Sequence, residues 1–542
     1  MYRYFSYWGV GVGVLILLVA SLVLIISFVT SYLLSHRTQV LTGLRRVLWW
    51  LIGTRLWRAV DGRARKRFPR VYRMLRKTID LTTAPGISLA VGISLSIVFL
   101  LLFLGTAFDV VFGIDVARAD VRFMYLIRTM ISDTATVWFV FVTRLANAAT
   151  ILTLFALIAL YLLLLRQYRW IAYLALATSS GYVLFTSMKW LFLRPRPSDL
   201  NLIALPFDPS FPSGHALLSV CFYGFLAFLI IRKLRSIPLK TLVAAVTSLL
   251  IIVIGLSRVY LGVHYPSDVF GGWYLGLGAL SLVITFFEVE RVFHFPGLTA
   301  VKDLKYSKKF QTYYLTLLVV SIVVFLLWSR PLMNEYTQSR QVQTVSAIVD
   351  FIPQAHTHSE NLVGRPMSPI SFIVIADRGR LISAFQAAGW HLADLPNVRN
   401  FFKLYSNIAK DTQYPAGPLT PAFYNSRTND MGFEKETVEA TSRQRHHTRF
   451  WDSGFRLQGV TIWVATASFD EGIGIGPEIK FPTHKIDPHI DIEREFIFSD
   501  LQATGLISES HKVPIVPPEQ GTNAAGDPFT TDGWAYSITL VP

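Results

Sequence analysis

Apolar residues fall into eight long runs within the first 330 or so positions, and no comparable run follows. They are Trp8–Leu34, Ile87–Val111, Val137–Leu165, Trp170–Phe192, His215–Ile231, Thr241–Leu256, Val269–Phe287 and the shorter Tyr313–Trp328. Runs of about 20 apolar residues match the thickness of a bilayer's hydrocarbon core, so each predicts a membrane-spanning helix. The first run is too long for a secretory signal and lacks a small-residue cleavage site after it, so it reads as a retained anchor. Beyond residue 340 the pattern changes to short alternations with polar residues. There, Ser371–Ala376, Val460–Ala467 and Trp534–Val541 read as strands, and Leu381–Gly389 and Ile490–Thr504 as helices, the second ended by Gly505.

The linkers set the orientation. His36–Lys77 holds 13 Lys and Arg against a single acid, Asp61, and Arg166–Arg169, Arg232–Lys240 and Glu288–Thr312 are also basic. If all eight runs cross, these four linkers share one side, and the positive-inside rule makes that side cytoplasmic. Val40–Lys77 mixes Trp49, Trp50 and Trp57 with arginines. It fits a stop-transfer signal or an interfacial helix on anionic lipid, and the two are compatible.

Composition agrees. Of 542 residues, 52% are hydrophobic and 16% charged, with mean hydropathy +0.44, against about 25% charged in average soluble domains. An ordinary cytosolic enzyme, a disordered chain and a collagen-like fibre are excluded. The net charge of +16 is unevenly spread: Met1–Ser339 carries 34 Lys and Arg against 13 acids, whereas Arg340–Pro542 carries 17 against 22. The basic excess therefore reads as a topology signal rather than a nucleic-acid surface. One cysteine, Cys221, allows no intramolecular disulfide and no cysteine-based metal site.

Three short motifs fall on the side opposite the basic linkers: Lys189-Trp-Leu-Phe-Leu-Arg-Pro-Arg196-Pro197, Pro212-Ser213-Gly214-His215, and Ser257-Arg258 through His264 to Asp268. Their chemistry converges on an anion. Lys189, Arg196 and Arg258 are cations at span ends, suited to neutralising phosphate. Ser213 and Gly214 stand where a helix begins, with Ser a favoured cap and the backbone N–H groups able to bind anions. Pro266 suits a first helical turn, which places Asp268 so that it can hold His264 in one tautomer. His215 and His264 together supply a nucleophile and a proton donor.

The tripartite pattern Lys-x6-Arg-Pro, Pro-Ser-Gly-His and Ser-Arg-x5-His-x3-Asp resembles the type 2 phosphatidic acid phosphatase superfamily, without departures, over roughly Ile87–Phe287. The resemblance implies a six-helix core, with His264 as the nucleophile forming a phosphohistidine and Asp268 orienting it. His215 would protonate the leaving lipid oxygen and then activate water. Lys189, Arg196, Arg258, Ser213 and the Gly214 amide would bind the phosphoryl group, with no metal or cofactor. The implied substrate is a lipid phosphomonoester or pyrophosphate: phosphatidic acid, phosphatidylglycerol phosphate or undecaprenyl pyrophosphate. A phosphotransferase passing the group to a lipid or glycan acceptor, and a non-catalytic lipid-binding scaffold, are the alternatives.

The C-terminal segment resembles the LssY-type domain fused to bacterial membrane phosphatases. The resemblance rests on Arg449-Phe-Trp451-Asp452-Ser-Gly454-Phe455, Trp463-Val-Ala-Thr466-Ala-Ser468 and Ile486-Asp487-Pro488-His-Ile-Asp491-Ile-Glu493-Arg494. It implies a bacterial origin but no settled activity. Gly472-Ile-Gly474-Ile-Gly476 lacks the strand–turn–helix setting of a dinucleotide site. His446, His447, His484 and His489 accompany Asp487 and Asp491; a metal site is one reading, but none shows His-Glu-x-x-His spacing, and solvated or hydrogen-bonded histidines are the default. The expected whole is a polytopic all-α membrane protein of about eight spans with a C-terminal soluble α/β or α+β domain. The expected segments are an anchor and basic stretch at 1–86, the phosphatase core at 87–290, a linker and last span at 291–339, and the soluble domain at 340–542. That protein would sit in a bacterial inner membrane, with its site and C-terminal domain facing the periplasm, and would bind lipid but no nucleic acid.

Overall fold

The computed structural model describes residues 84–293 and 342–541, apart from 114, 198–199, 396–399, scattered positions between 401 and 413, 438–443 and 476–481. The first and last expected spans and the basic stretch Val40–Lys77 lie outside the described residues.

The described apolar runs become helices, and one further helix, Asp115–Arg128, forms outside them. They are α1 (Ala84–Phe112), α2 (Asp115–Arg128), α3 (Asp133–Arg144), α4 (Ala148–Leu164), α5 (Tyr168–Phe192), α6 (Gly214–Ser219), α7 (Phe225–Lys233), α8 (Ile237–Tyr260) and α9 (Pro266–Phe293). A π turn, Val220–Gly224, joins α6 to α7. Among the described residues five helices are long and apolar enough to cross a membrane, or six if the bent pair α3–α4 is one span. Exposed Leu101, Leu104, Phe108 and Phe112 on α1 have the apolar surface that lipid requires.

Two expectations change. Val137–Leu165 is not one straight helix: α3 and α4 meet at a 48° bend, broken at residues 145–147. The stretch Gly113–Ala135, which lies between two of the apolar runs and to which their pattern assigns no element, contains α2, whose residues Arg118–Thr129 group with the described part of Thr337–Pro542 as one compact unit. Within that unit Arg122 pairs with Glu360 at 2.7 Å.

Glycines set how closely the helices of the other unit approach. A Cβ at Gly272 on α9 would lie 2.6 Å from the Ser213 carbonyl oxygen, and one at Gly276 would lie 3.1 Å from that of Leu217. Small residues at such crossings let backbones touch. At the far end of these helices Arg169 pairs with Glu290 at 2.5 Å, Tyr173 donates to Glu290 at 2.9 Å, and Arg232 pairs with Glu288.

The C-terminal unit is built on a mixed sheet with nine strands among the described residues. They are β1 (Gln343–Val345), β2 (Phe372–Ile375), β3 (His391–Leu392), β4 (Met431–Glu436), β5 (Arg445–Leu457), β6 (Val460–Ile475), β7 (Pro482–Ile486), β8 (Ile507–Pro514) and β9 (Trp534–Leu540). Their order is β8-β9-β2-β6-β5-β4-β3, with β1 on β5 and β7 on β6. The β9–β2 and β1–β5 pairs are parallel and the others antiparallel.

β2 is central and buried on both faces, which explains its unbroken Phe-Ile-Val-Ile. On one face Phe372 and Val374 pack with Leu381 and Phe385 of α10 (Arg378–Ala387) and Ile497 and Leu501 of α11 (Ile490–Ala503). On the other, Ile373 and Ile375 pack with Trp451, Ile462 and Val464. The expected strands and helices are present, and β6 runs eight residues further than expected, carrying Gly472 and Gly474 in its pairing with β7.

Part of the sheet buries charge. Arg445 bridges Glu434 at 2.5 Å and Asp470 at 3.1 Å, and His447 accepts a hydrogen bond from Arg449 at Nε2, 2.9 Å away. His446 instead meets Glu493, exposed His489 meets Asp487, and His484 lies on β7. Burial pushes His447 down to about 4, against the opposing pull of Asp470. As the pH falls through 6.5 the unfolded chain takes up a proton here that the folded chain refuses until about 4, so stability is lost across that window. Lowering the pH from 7 to 5 should cost this unit about 2 kcal/mol through His447, and His447→Gln should remove that increment. Hydrogen exchange of β5 and β6 amides in the full-length protein, corrected for intrinsic exchange, reads it.

Candidate active site

The site forms where α5 and α8 end and α6 and α9 begin, so the three motifs meet at one end of the helices. Lys189 lies in the last turn of α5, and Leu193 closes that helix in the left-handed region. The chain then returns as an irregular loop to Ser213, which stands at the N-cap of α6. Arg258 lies in the last turn of α8. Its carbonyl oxygen accepts from the amides of Val263 and His264, folding the connection into a tight turn. Gly262 makes that turn possible: its φ is +73°, and a Cβ there would lie 1.9 Å from the Leu200 carbonyl oxygen.

Asp268, fully buried, is the hub. Its Oδ1 accepts from Arg194 at 2.7 Å, and its Oδ2 accepts from Ser210 Oγ at 2.7 Å and from the Tyr265 amide at 2.9 Å. His264 Nδ1 lies 3.2 Å from the same Oδ2. Arg196 Nη1, which can only donate, stands 3.2 Å from His264 Nε2. The imidazole therefore carries its proton on Nδ1 and presents a lone pair at Nε2, the arrangement expected from Pro266 and the i, i+4 spacing.

The cations are distinct in their partners. Lys189 donates to Asp208 Oδ2 at 2.6 Å and to the Pro209 carbonyl at 2.5 Å. Arg196 donates to Asp208 Oδ1 at 2.8 Å and to the Val263 carbonyl at 2.7 Å. Partial burial pushes the Asp208 carboxyl up, but these two cations outweigh it and hold it below the usual carboxylate range. Arg258 donates from Nη1 to Thr143 Oγ1 at 2.8 Å. Its buried Nε, and the buried Ser213 hydroxyl, have no hydrogen-bond partner among the described residues. Ser213 thus occupies the cap position without making the cap bond. Buried donors left unpaired are costly, so an acceptor from outside the chain fits them.

His215, in the first turn of α6, places Nε2 2.8 Å from Asn147 Oδ1. It lies within electrostatic range of Arg258, His264, Lys189 and Arg196. All eight residues singled out in the motifs are therefore gathered at one end of the helices. Sequence reasoning missed five of their partners, among them Asp208, which holds Lys189 and Arg196. Arg194 and Ser210 hold Asp268, while Thr143 and Asn147 flank the α3–α4 bend and hold Arg258 and His215. The repeated Arg-Pro of Arg194-Pro195-Arg196 was a visible sign of the first.

Residues 168–291 match the profile of the PAP2 superfamily, and residues 349–534 match that of the LssY C-terminus. The chain thus carries a segment similar to the PAP2 superfamily, within helices long and apolar enough to cross a membrane, and a C-terminal segment similar to the LssY C-terminus. Among curated relatives, phosphatidylglycerophosphatase B of Bacillus subtilis is 40% identical over 80 residues, 15% of this chain and 39% of that protein. A putative undecaprenyl-diphosphatase, YbjG, of Escherichia coli is 37% identical over 116 residues, 20% of this chain and 54% of that one. The chain spans about half or less of the length of these relatives. Two solved structures are each 27% identical. A PAP2-type phosphatidylglycerolphosphate phosphatase from Bacillus subtilis has a TM-score of 0.33, covering 38% of this chain and 98% of that one. Aquifex aeolicus LpxE has a TM-score of 0.25, covering 30% and 94%.

Arg194 is a stability determinant on this geometry. Arg194→Met leaves Asp268 as a buried charge without its cation, which costs about 3 kcal/mol or more. Thermal unfolding of the purified protein in detergent should show the loss, whereas Lys233→Met, at the opposite end of the helices, should leave the midpoint nearly unchanged.

Proposed function

We propose that the protein is a lipid phosphatase that hydrolyses a phosphomonoester or pyrophosphate on a lipid anchor through a phosphohistidine at His264. The observation that carries this reading is the pair of buried, unpartnered donors, Ser213 Oγ and Arg258 Nε, in a site that already gathers Lys189, Arg196 and a histidine lone pair. Such a cluster matches the developing charge of phosphoryl transfer. The names of the curated relatives, phosphatidylglycerophosphatase and putative undecaprenyl-diphosphatase, point to the same substrate class.

In the first step His264 Nε2 attacks phosphorus and the bond from phosphorus to the lipid oxygen breaks. His215 gives that oxygen a proton. Asp268 stabilises the positive charge that builds on the His264 ring, while Lys189, Arg196, Arg258, Ser213 and the Gly214 amide hold the phosphoryl oxygens. In the second step water attacks phosphorus, His215 takes its proton, and the N–P bond breaks to release phosphate and restore His264. Asn147 accepts from His215 Nε2, so Nδ1 is the atom that exchanges the proton. Asn147 is thus a positioning residue. Fixed protein cations fill the charge-neutralising role, so turnover is metal-independent.

The orientation follows from charge. The basic turns Arg166–Arg169 and Arg232–Lys240 lie at the helix ends opposite the site. The positive-inside rule then puts the site on the periplasmic face of a bacterial inner membrane. The domain limits 1–86, 87–290, 291–339 and 340–542 stand as part of the same reading.

Phosphate release from a panel of lipid phosphates in EDTA tests the whole. Activity should persist in EDTA and fall at least about a thousandfold in His264→Ala. Acid-labile label from a phosphate-labelled lipid should be trapped on the wild type at His264. Release that EDTA abolishes, or that survives in His264→Ala, would overturn the mechanism.

A further inference from the structure

The cation pair of the site already holds an anion from its own chain. Lys189 takes one oxygen of the Asp208 carboxylate and Arg196 takes the other, at 2.6 and 2.8 Å. Two oxygens shared between two cations is how a phosphoryl group would also be held. The burial is unequal. The Lys189 and Arg196 side chains are 4% and 7% exposed, whereas that of Asp208 is 42% exposed. A carboxylate half in water can leave at little desolvation cost, while its two cations stay.

The backbone beneath it is fixed independently of the carboxylate. Arg196 Nε donates to the Asp208 carbonyl at 2.8 Å, Lys189 donates to the Pro209 carbonyl at 2.5 Å, and the Ser210 amide donates to the Arg194 carbonyl at 2.8 Å. Rotation of one side chain therefore vacates the cation pair without moving the loop that supports Asp268 through Ser210. The other donors, Ser213 Oγ and Arg258 Nε, are untouched by Asp208 and remain unpaired.

We propose that Asp208 is an internal competitor for the phosphoryl group: its carboxylate occupies the Lys189–Arg196 position between turnovers and is displaced when phosphoryl oxygens arrive. The proposal rests on the phosphatase reading above and adds to it a device that lowers affinity for phosphate. An internal anion weakens binding of every phosphate species, the orthophosphate product included, so it limits product retention at a site with three converging cations. It also relieves repulsion between Lys189 and Arg196 when no substrate is bound.

Binding of orthophosphate to the purified full-length protein, followed by titration calorimetry, tests the competition beside steady-state hydrolysis of a lipid phosphate. Asp208→Asn keeps the shape and removes the charge. Orthophosphate should bind about tenfold or more tightly to it than to the wild type, as expected when an opposing charged hydrogen bond is lost. KM should fall in the same direction, and product inhibition should strengthen, without a rise in kcat. Asp208→Ser should reproduce the result, which guards against a local rearrangement by the amide. Unchanged or weaker orthophosphate binding in both variants, with a raised KM, would overturn the proposal and leave Asp208 as a fixed support for its two cations. The binding arm needs no turnover. A wild type that hydrolyses no lipid phosphate would fail the phosphatase reading, while the orthophosphate comparison would still decide the role of Asp208.

Discussion

Everything at the site depends on keeping one carboxylate ionised where there is almost no water. Asp268 has no exposed surface, and a buried charge persists only when donors replace its hydration. Four donors do so. They come from the loop after α5 (Arg194), the loop before α6 (Ser210) and the turn before α9 (His264 and the Tyr265 amide). Two of the sequence motifs, and the loop that leads into the third, are thereby tied to one carboxylate. The tautomer of His264 follows, because Oδ2 takes the Nδ1 proton and leaves Nε2 facing Arg196.

The helices hold that hub in place by a division of labour along their length. Close glycine crossings bring α9 against α6, so the carbonyl of Ser213 lies where a side chain would otherwise stand. The opposite ends are fixed by ion pairs, Arg169 with Glu290 and Arg232 with Glu288, and by the Arg169 guanidinium over the Phe287 ring at 4.8 Å. Between the two polar ends the contacts are apolar, from Leu174 and Ala177 to Phe222 and Val283. Charge is thus confined to places where a partner is built in, as a lipid environment demands.

The C-terminal unit follows the same rule in a sheet. Its central strand is apolar on both faces, whereas β4, β5 and β6 bury Glu434, Arg445, His447 and Asp470 side by side. Arg445 satisfies Glu434 and Asp470 across strands, which lets the sheet extend beyond its apolar centre. The conditions that charge His447 are therefore those that loosen this part of the unit.

The apolar runs alone determined where long helices form among the described residues of the membrane half, because lipid requires unbroken hydrophobic length. Residue type and spacing singled out the eight candidate site residues: a histidine two residues before a helix-starting proline and an aspartate two residues after it are spaced to meet. Strands β4 and β5 were not legible. Arg445, His447 and Glu434 interrupt the hydrophobic alternation, and their burial depends on partners from other strands. The bend at residues 145–147 was hidden because α3 and α4 are apolar on either side of Asn147. Only tertiary structure decided that Arg194 serves Asp268 while Arg196 serves Asp208 and His264, two arginines of identical chemistry two residues apart. It alone placed Asn147 on His215, Thr143 on Arg258 and Asp208 between two cations. Each is a contact between segments distant along the chain or separated by an irregular loop, and no local periodicity encodes which donor meets which acceptor there.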